Sequence, residues 1–180
     1  MSIRPYSFEP TVNDIDMADI QPGRNEPDIP KQLEGRSKIN VNDWCLCNKC
    51  IWFTTDQECI CCFELEKLHK LLPHSNKKTC ITEISSFSKI ILDEEVLNIT
   101  RQQIIVKSKN KSKKKMLSSS QPTNKMWRYI CYKQFTHWIN SWNSIGKGNR
   151  IVIPSCVVNK IRQKYPEQDG CYVGYKSCTL

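Results

Sequence analysis

The sequence predicts a small α-rich domain with short extended segments, in which a cysteine knuckle packs against a C-terminal helical bundle. Three observations predict it. Seven of the eleven cysteines fall between Cys45 and Cys80. Downstream, apolar residues recur three, four or seven apart, the period of one helix face. The longest aliphatic runs, such as Ile90–Leu92 and Ile151–Ile153, are three residues, whereas a membrane span needs about 20 apolar residues. No span is therefore expected.

Residues 1–41 read as a disordered tail. Five of the nine prolines lie within residues 1–40, and residues 1–34 hold seven acids against three basic residues. No apolar period is sustained there. Tyr6, Phe8, Ile15, Met17 and Ile20 offer at most a short docking motif. The opening MSIRPYSFEP has no apolar core, so no secretory signal is expected. The expected compartment is intracellular and reducing, cytoplasmic or nuclear. Asn98-Ile-Thr100 and Asn110-Lys-Ser112 then carry no meaning as glycosylation sites.

From Trp44 to Cys62 the chain is a knuckle with little room for regular structure. Without secretion, thiols at this density are metal ligands more often than disulfides. Zinc takes four ligands in a tetrahedron, and all-thiolate sites are structural because no position stays open for substrate. Cys47-Asn-Lys-Cys50 has the spacing of half a zinc site, though alone it is equally the spacing of a redox pair. Cys45 extends it on one side and the adjacent Cys61 and Cys62 on the other. Adjacent residues aim their side chains apart, so they hold two neighbouring ions more easily than one. Bridging thiolates let two zinc ions share fewer than eight cysteines, so the pattern favours a dinuclear cluster.

A short helix is expected over Phe63–Leu72, burying Leu65, Leu68, Leu71 and Leu72 and ended by Pro73. A second starts at Ser85 or Ser86 as N-cap and buries Phe87, Ile90, Ile91 and Leu97. Residues 107–124, rich in lysine and serine, read as a flexible insertion. Lys107, Lys109, Lys111, Lys113, Lys114 and Lys115 crowd into it with no acid between them. They are a solvated loop, a nuclear-localisation signal or a nucleic-acid contact. The strongest helical pattern follows: Trp127, Ile130, Cys131, Phe135, Trp138, Ile139 and Trp142 form one stripe, read as core. Gly146–Asn149 make a turn, Ile151–Ile153 a short extended run, and Pro154 opens a last helix that Pro166 stops. Its buried face is Val157, Val158, Ile161 and Tyr165, and residues 177–180 are a tail.

Cys156 sits in the first turn of that last helix, where unpaired amides and the dipole lower a thiol's pKa. It is a candidate remote ligand, with a buried free thiol as the alternative. Cys59 lies beside the cluster and its role stays open. Cys131 belongs to the core stripe; Cys171 and Cys178 are isolated. His69 and His74 are alternate ligands, His69 on the polar side of its helix, and His137 reads as a surface or hydrogen-bonded residue.

The order Trp44-Cys-Leu-Cys-Asn-Lys-Cys50, Glu58-Cys-Ile-Cys-Cys62, Cys80-Ile-Thr82, Tyr132-Lys-Gln-Phe135, Asn149-Arg-Ile-Val-Ile-Pro-Ser-Cys-Val-Val158 and Gly170-Cys-Tyr-Val-Gly-Tyr175 resembles the cytoplasmic ballast domain of the seventh-subtype ATP-gated purinergic channel. The resemblance covers residues 42–176. It implies a compact α-rich fold around a dinuclear zinc cluster held by seven cysteines: Cys45, Cys47, Cys50, Cys61, Cys62, Cys80 and Cys156, with Cys59 left over. It departs from that pattern in the seventeen residues between Cys62 and Cys80, where Pro73–Lys78 read as an insertion. The channel's membrane helices and ectodomain have no counterpart here, so a stand-alone relative that neither conducts ions nor binds extracellular ATP is expected. The family domain is also associated with a guanine-nucleotide pocket. Arg128 and Tyr132 match its base-side positions, and the backbone at Ile151 and Ile153 would flank the base. Val158 and Glu167 stand where basic phosphate contacts are expected, and Glu167 would repel phosphate.

Three function classes compete. A zinc-stabilised, non-catalytic interaction module with an unidentified protein partner accounts for the cysteines. A nucleic-acid-binding protein accounts for the net charge of +9. Its surface would draw on the lysine tract with Arg128, Lys133, Lys147, Arg150, Lys160, Arg162 and Lys164, and on Trp127 or Trp142 for stacking. Catalysis finds no support: zinc would occupy Cys47 and Cys50, and no histidine supplies the His-x-Glu pair of a zinc deaminase.

Overall fold

The computed structural model describes residues 33–72, 79–109, 111–143 and 151–172. Among them the fold is helical, with no strand. The expected tail through residue 32, the insertion at 73–78, His74, the 146–149 turn, Lys147, Arg150, residues 173–175 and Cys178 lie outside the described residues.

Among the described residues seven α-helices follow one another. α1 (Val41–Trp44) and α2 (Glu66–His69) are single turns. α3 (Ser85–Phe87) runs into a π-helical segment, Ser88–Leu92. α4 (Glu94–Lys107), α5 (Lys111–Leu117), α6 (Asn124–Ile139) and α7 (Ser155–Lys164) follow.

Local chemistry sets these bounds. Asp93 caps α4, its carboxylate accepting from the amides of Glu95 and Val96 at 3.0 Å each, and Glu94 and Glu95 complement the dipole in the first turn. That cap also divides what the apolar spacing presents as one helix from Ser85 to Leu97. Ser85 and Ser86 do not act as its N-cap, a position held by Ile84. The stretch Phe63–Leu72 is likewise shorter in helix than expected: a 3-10 turn at Cys62–Glu64 precedes the four residues of α2. Leu65, Leu68 and Leu72 are nevertheless buried.

α6 carries the expected stripe. Trp127, Ile130, Cys131, Phe135, Trp138 and Ile139 are buried. Trp142 leaves the stripe: α6 ends at Ile139, and Trp142 sits in the left-handed region at φ 65°, 58 % exposed. α4 packs on α6, where the Thr100 hydroxyl donates to Gln134 Oε1 at 2.9 Å. Phe87 meets Phe135 edge to face at 6.4 Å. Trp127 stacks on Tyr165, at the end of α7, at 6.0 Å. α7 begins after Pro154 and stops before Pro166, burying Val157, Ile161 and Tyr165.

Two expectations of irregular chain give way. Within 107–124, α5 forms and Leu117 is fully buried, because Arg101 donates from Nε to the Leu117 carbonyl at 2.6 Å and also reaches the Ser119 carbonyl. Upstream of residue 42, Leu33 is buried, and the amides of Gly35 and Ser37 donate to Asp56 at 2.9 and 2.7 Å. Ion pairs and backbone caps of this kind leave no apolar period to read.

Candidate metal centre

Each cysteine of the cluster is placed by a short turn. α1 is capped by Asn40, whose side chain accepts from the Asn42 amide at 2.9 Å. Cys45 is the first residue past the helix, its amide bonded to the Val41 carbonyl at 2.9 Å. Asn48, between Cys47 and Cys50, has φ 56°. Asparagine tolerates this left-handed conformation better than most residues, and the reversal it creates points both flanking thiols to one side. Their sulfurs are 3.7 Å apart.

Cys61 and Cys80 each precede a 3-10 turn with a glutamate three residues on. Glu64 accepts from the Cys61 amide at 2.8 Å, and Glu83 from the Cys80 amide at 3.3 Å. The two Cys-x-x-Glu segments are thus the same device used twice, with Cys62 displayed from the first turn. Arg36 holds Glu64 from the far side with both guanidinium nitrogens. Cys156 comes from the first turn of α7. Ser155, fully buried, fixes that turn: its hydroxyl donates to the Ile51 carbonyl at 2.5 Å and accepts from the Ile51 amide at 2.8 Å. Its own amide donates to the Ile60 carbonyl at 2.9 Å. The start of α7 is therefore tied to both arms of the knuckle.

The result is two groups of four sulfurs. Cys45, Cys47, Cys50 and Cys61 lie within 4.8 Å of one another, as do Cys47, Cys62, Cys80 and Cys156. Cys47 belongs to both. A tetrahedral zinc–thiolate site with bonds of about 2.3 Å has sulfur–sulfur edges of about 3.8 Å. The separations are 3.8 Å for Cys45–Cys47, 3.7 Å for Cys47–Cys50 and 3.9 Å for Cys62–Cys80. The donor set and its size therefore fit a metal ion in each group.

The thiols also share protons as a crowded set must. Hydrogen bonds from Cys47 and Cys50 hold the Cys61 thiol below its ordinary range, and bonds from Cys156 and Cys47 do the same for Cys80. Burial pushes Cys45 up. The lowered Cys156 thiol expected from its helix start is corrected here: its bonds to Cys47 and Cys50 push it well above the ordinary value. Several thiolates buried together repel, so without a cation some must keep their protons.

The remaining candidates fall outside the cluster. Cys59 is fully buried, but its sulfur donates to the Phe53 carbonyl at 3.4 Å and belongs to neither group. Cys131 is buried in α6, its thiol pushed up to about 12 by burial. Cys171 is exposed. His69 is exposed, with Nε2 at 2.8 Å from the Phe63 carbonyl, and His137 is half-buried. Glu64, Glu83, Arg36 and Ser155 support the site and were not singled out from the sequence. The repeated Cys-x-x-Glu was the available signal for the first two.

Arg128 and Tyr132 line one cavity of about 370 Å³ together with Arg162, Glu167 and Tyr172. Arg128 is already engaged there: it donates to the Tyr165 carbonyl at 2.8 Å and pairs with Glu167. Ile151 and Ile153 pack against the core and do not line this cavity. Of the basic residues expected on a nucleic-acid surface, Arg162 lies over the rings of Tyr172 and Phe53, and Lys164 bonds the Leu92 carbonyl. Lys107, Lys109, Lys111, Lys114 and Lys115 are exposed, while the Lys113 side chain lies outside the described residues.

Residues 9–176 match the family described as the P2X purinoreceptor 7 intracellular domain. The P2X purinoceptor 7 of Rattus norvegicus is 24% identical over 161 residues, covering 84% of this chain and 24% of the rat protein. The P2X purinoceptor 7 of Mus musculus is 23% identical over 133 residues, covering 74% of this chain and 20% of the mouse protein. The chain spans about a quarter of the length of these curated relatives. No described helix is long and apolar enough to cross a membrane.

Proposed function

The chain belongs to the P2X purinoreceptor 7 intracellular-domain family, and on that premise we propose that it is a zinc-stabilised, non-catalytic intracellular interaction module. One zinc ion would be held by Cys45, Cys47, Cys50 and Cys61, and a second by Cys47, Cys62, Cys80 and Cys156. The carrying observation is that Cys47 belongs to two four-sulfur groups of tetrahedral size. A bridging thiolate between two ions is the economical use of seven sulfurs.

All seven ligands are cysteines, so each ion would be closed to substrate and would act as core rather than catalyst. Its binding energy is folding energy, because no such site exists in the unfolded chain. Cys156 would close the chain between α7 and the knuckle. Residues 1–41 and 177–180 would be tails outside this metal-linked body, apart from the packed stretch that begins at Leu33. A guanine-nucleotide reading has less support: Arg128 and Tyr132 share a cavity, but Glu167 takes Arg128 and adds negative charge where phosphate would lie.

Native mass spectrometry of the purified chain tests the proposal. Two zinc ions per folded monomer are expected, with unfolding when a strong chelator removes them. A folded protein carrying none or one would reject the dinuclear site.

A further inference from the structure

Between Glu95 and Glu167 the chain has no acidic residue and fifteen lysines and arginines. Packing assigns some of these cations to internal work, as for Arg101, Arg128, Arg162 and Lys164. Of the rest, Lys107, Lys111, Lys114, Lys115 and Lys133 lie on α4, α5 and α6.

α4 and α6 are joined at Thr100 and Gln134. Lys107 lies seven residues beyond Thr100, which is two helical turns on the same face of α4. Lys133 and His137 are one turn apart on α6 and share a face. Burial pushes the His137 imidazole below its ordinary range, and the charges of Lys133 and Lys107 push it further, as expected where the three share a surface. α5 doubles back along α4: it starts beside the Lys107 end, and Leu117 and Ser119 are held at Arg101, so Lys111 stays at that end and Lys114 and Lys115 lie between it and Arg101. Lys107, Lys111, Lys114 and Lys115 are exposed, and none forms an ion pair among the described residues.

Among the described residues of this end, one large aromatic is exposed. The Trp142 amide donates to the His137 carbonyl at 2.7 Å, which fixes the turn that leaves its ring outside the core. Trp142 is 58 % exposed, whereas Trp127 is buried and stacked on Tyr165. Its neighbours Ser141 and Asn143 are exposed polar residues. A bilayer is best met by a continuous apolar face, but a base needs a single ring with cations beside it for the backbone.

We propose that the end of α4, with α5 and α6 packed on it, forms a surface that binds single-stranded nucleic acid, with Lys107, Lys111, Lys114, Lys115 and Lys133 on its phosphates and Trp142 stacked on a base. This names a partner class for the interaction module but uses none of its cysteines. Zinc content reads the cysteine site and nucleic-acid affinity reads this surface, so the two proposals fail separately.

The test is fluorescence anisotropy of the full, zinc-loaded chain with labelled oligothymidylate and oligouridylate of about 20 nucleotides. Affinity is expected to fall steeply with salt, with a log–log slope of about 0.7 per phosphate contacted. K111E/K114E/K115E is expected to weaken binding at least tenfold and to flatten that slope. W142A is expected to weaken binding about tenfold with the slope unchanged. Both variants change exposed side chains, and unchanged zinc content and circular dichroism would show that they fold. No binding at low salt overturns the proposal, as does wild-type affinity in either variant or equal affinity for a duplex of the same length. Binding to phosphatidylserine–phosphatidylcholine vesicles without binding to either oligonucleotide overturns it in favour of a membrane surface, for which Ile99 and Val106, exposed on α4, would be the apolar contacts.

Discussion

Residues 33–83 and residues 85–172 fold by different means. Among its described residues the first region has only the single turns α1 and α2 and four 3-10 turns. Its long-range polar contacts are specific: Arg36 to Glu64, Asp56 to two amides, Ser155 to Ile51. The second region has three helices of ten or more residues and an aromatic core around Phe87, Phe135 and Trp138. One-turn helices do not pay their own nucleation cost, and a segment the size of the first region buries too little apolar surface to stand alone. Six of its fourteen described buried apolar residues are cysteines, so its order depends in good part on what joins the sulfurs. The difference also appears in charge, since sixteen of the eighteen acids precede residue 96.

The sharpest way to break this contrast is Cys47→Ser. Cys47 is the only residue in both sulfur groups, so its loss strikes two sites at once. Structural zinc contributes about 10–16 kcal/mol in small zinc-finger peptides, comparable with the ~5–15 kcal/mol total stability of ordinary domains. The variant is expected to lose at least one ion by native mass spectrometry and to become protease-sensitive within residues 33–83. Two ions retained at full occupancy would contradict the shared role.

Phe135→Ala probes the other region. Phe135 is fully buried between Phe87 and Trp138, and truncation there is expected to cost about 3–5 kcal/mol. The signature is a lower unfolding midpoint in denaturant with the zinc count unchanged in the folded protein. A simultaneous loss of zinc would show that the two regions are one cooperative unit at the level of the metal site.

The two regions also differ in how much of them could be read from the chain. The α6 stripe was legible because one face of a long helix repeats, and α7 because prolines bracket it. Both the helix break at Asp93 and the exposure of Trp142 escaped that reading. A cap or a left-handed residue acts at a single position, and periodicity averages over it. Six cysteines of the first region and Cys156 of the second were legible as a set once resemblance was added to spacing, and the structure brings their seven sulfurs together. The supports were not: Ser155 meets Ile51 across most of the chain, and Arg36 meets Glu64 from a stretch read as tail. Contacts between distant polar residues leave no local pattern. Residues 107–124 were read from composition as irregular, yet Arg101 and the burial of Leu117 hold α5 in place.

Ser155→Ala tests the tie between the regions. It removes the hydroxyl that both donates to and accepts from Ile51, leaving two partly buried backbone groups without that partner. The expected cost is about 1–3 kcal/mol. Because the tie positions Cys156, the rate at which a chelator withdraws zinc should rise as well. A drop in stability with unchanged zinc release would place Ser155 in packing alone.

Cys59→Ala carries the smallest expected effect and separates density of cysteine from ligation. Cys59 lies two residues from Cys61 and is as completely buried as Cys61, Cys62 and Cys80. By local sequence alone it is as good a candidate as they are. Its sulfur nevertheless donates to the Phe53 carbonyl, and burial raises its thiol further above the ordinary value, so it keeps its proton at neutral pH. A protonated thiol bonded to a carbonyl is a packing group, and removing it should cost about 1 kcal/mol for the small void left behind. The zinc count by native mass spectrometry should stay at two. Loss of an ion on Cys59→Ala would mean that Cys59 enters the cluster when metal binds, and that one of the two four-sulfur groups is not the ligand set.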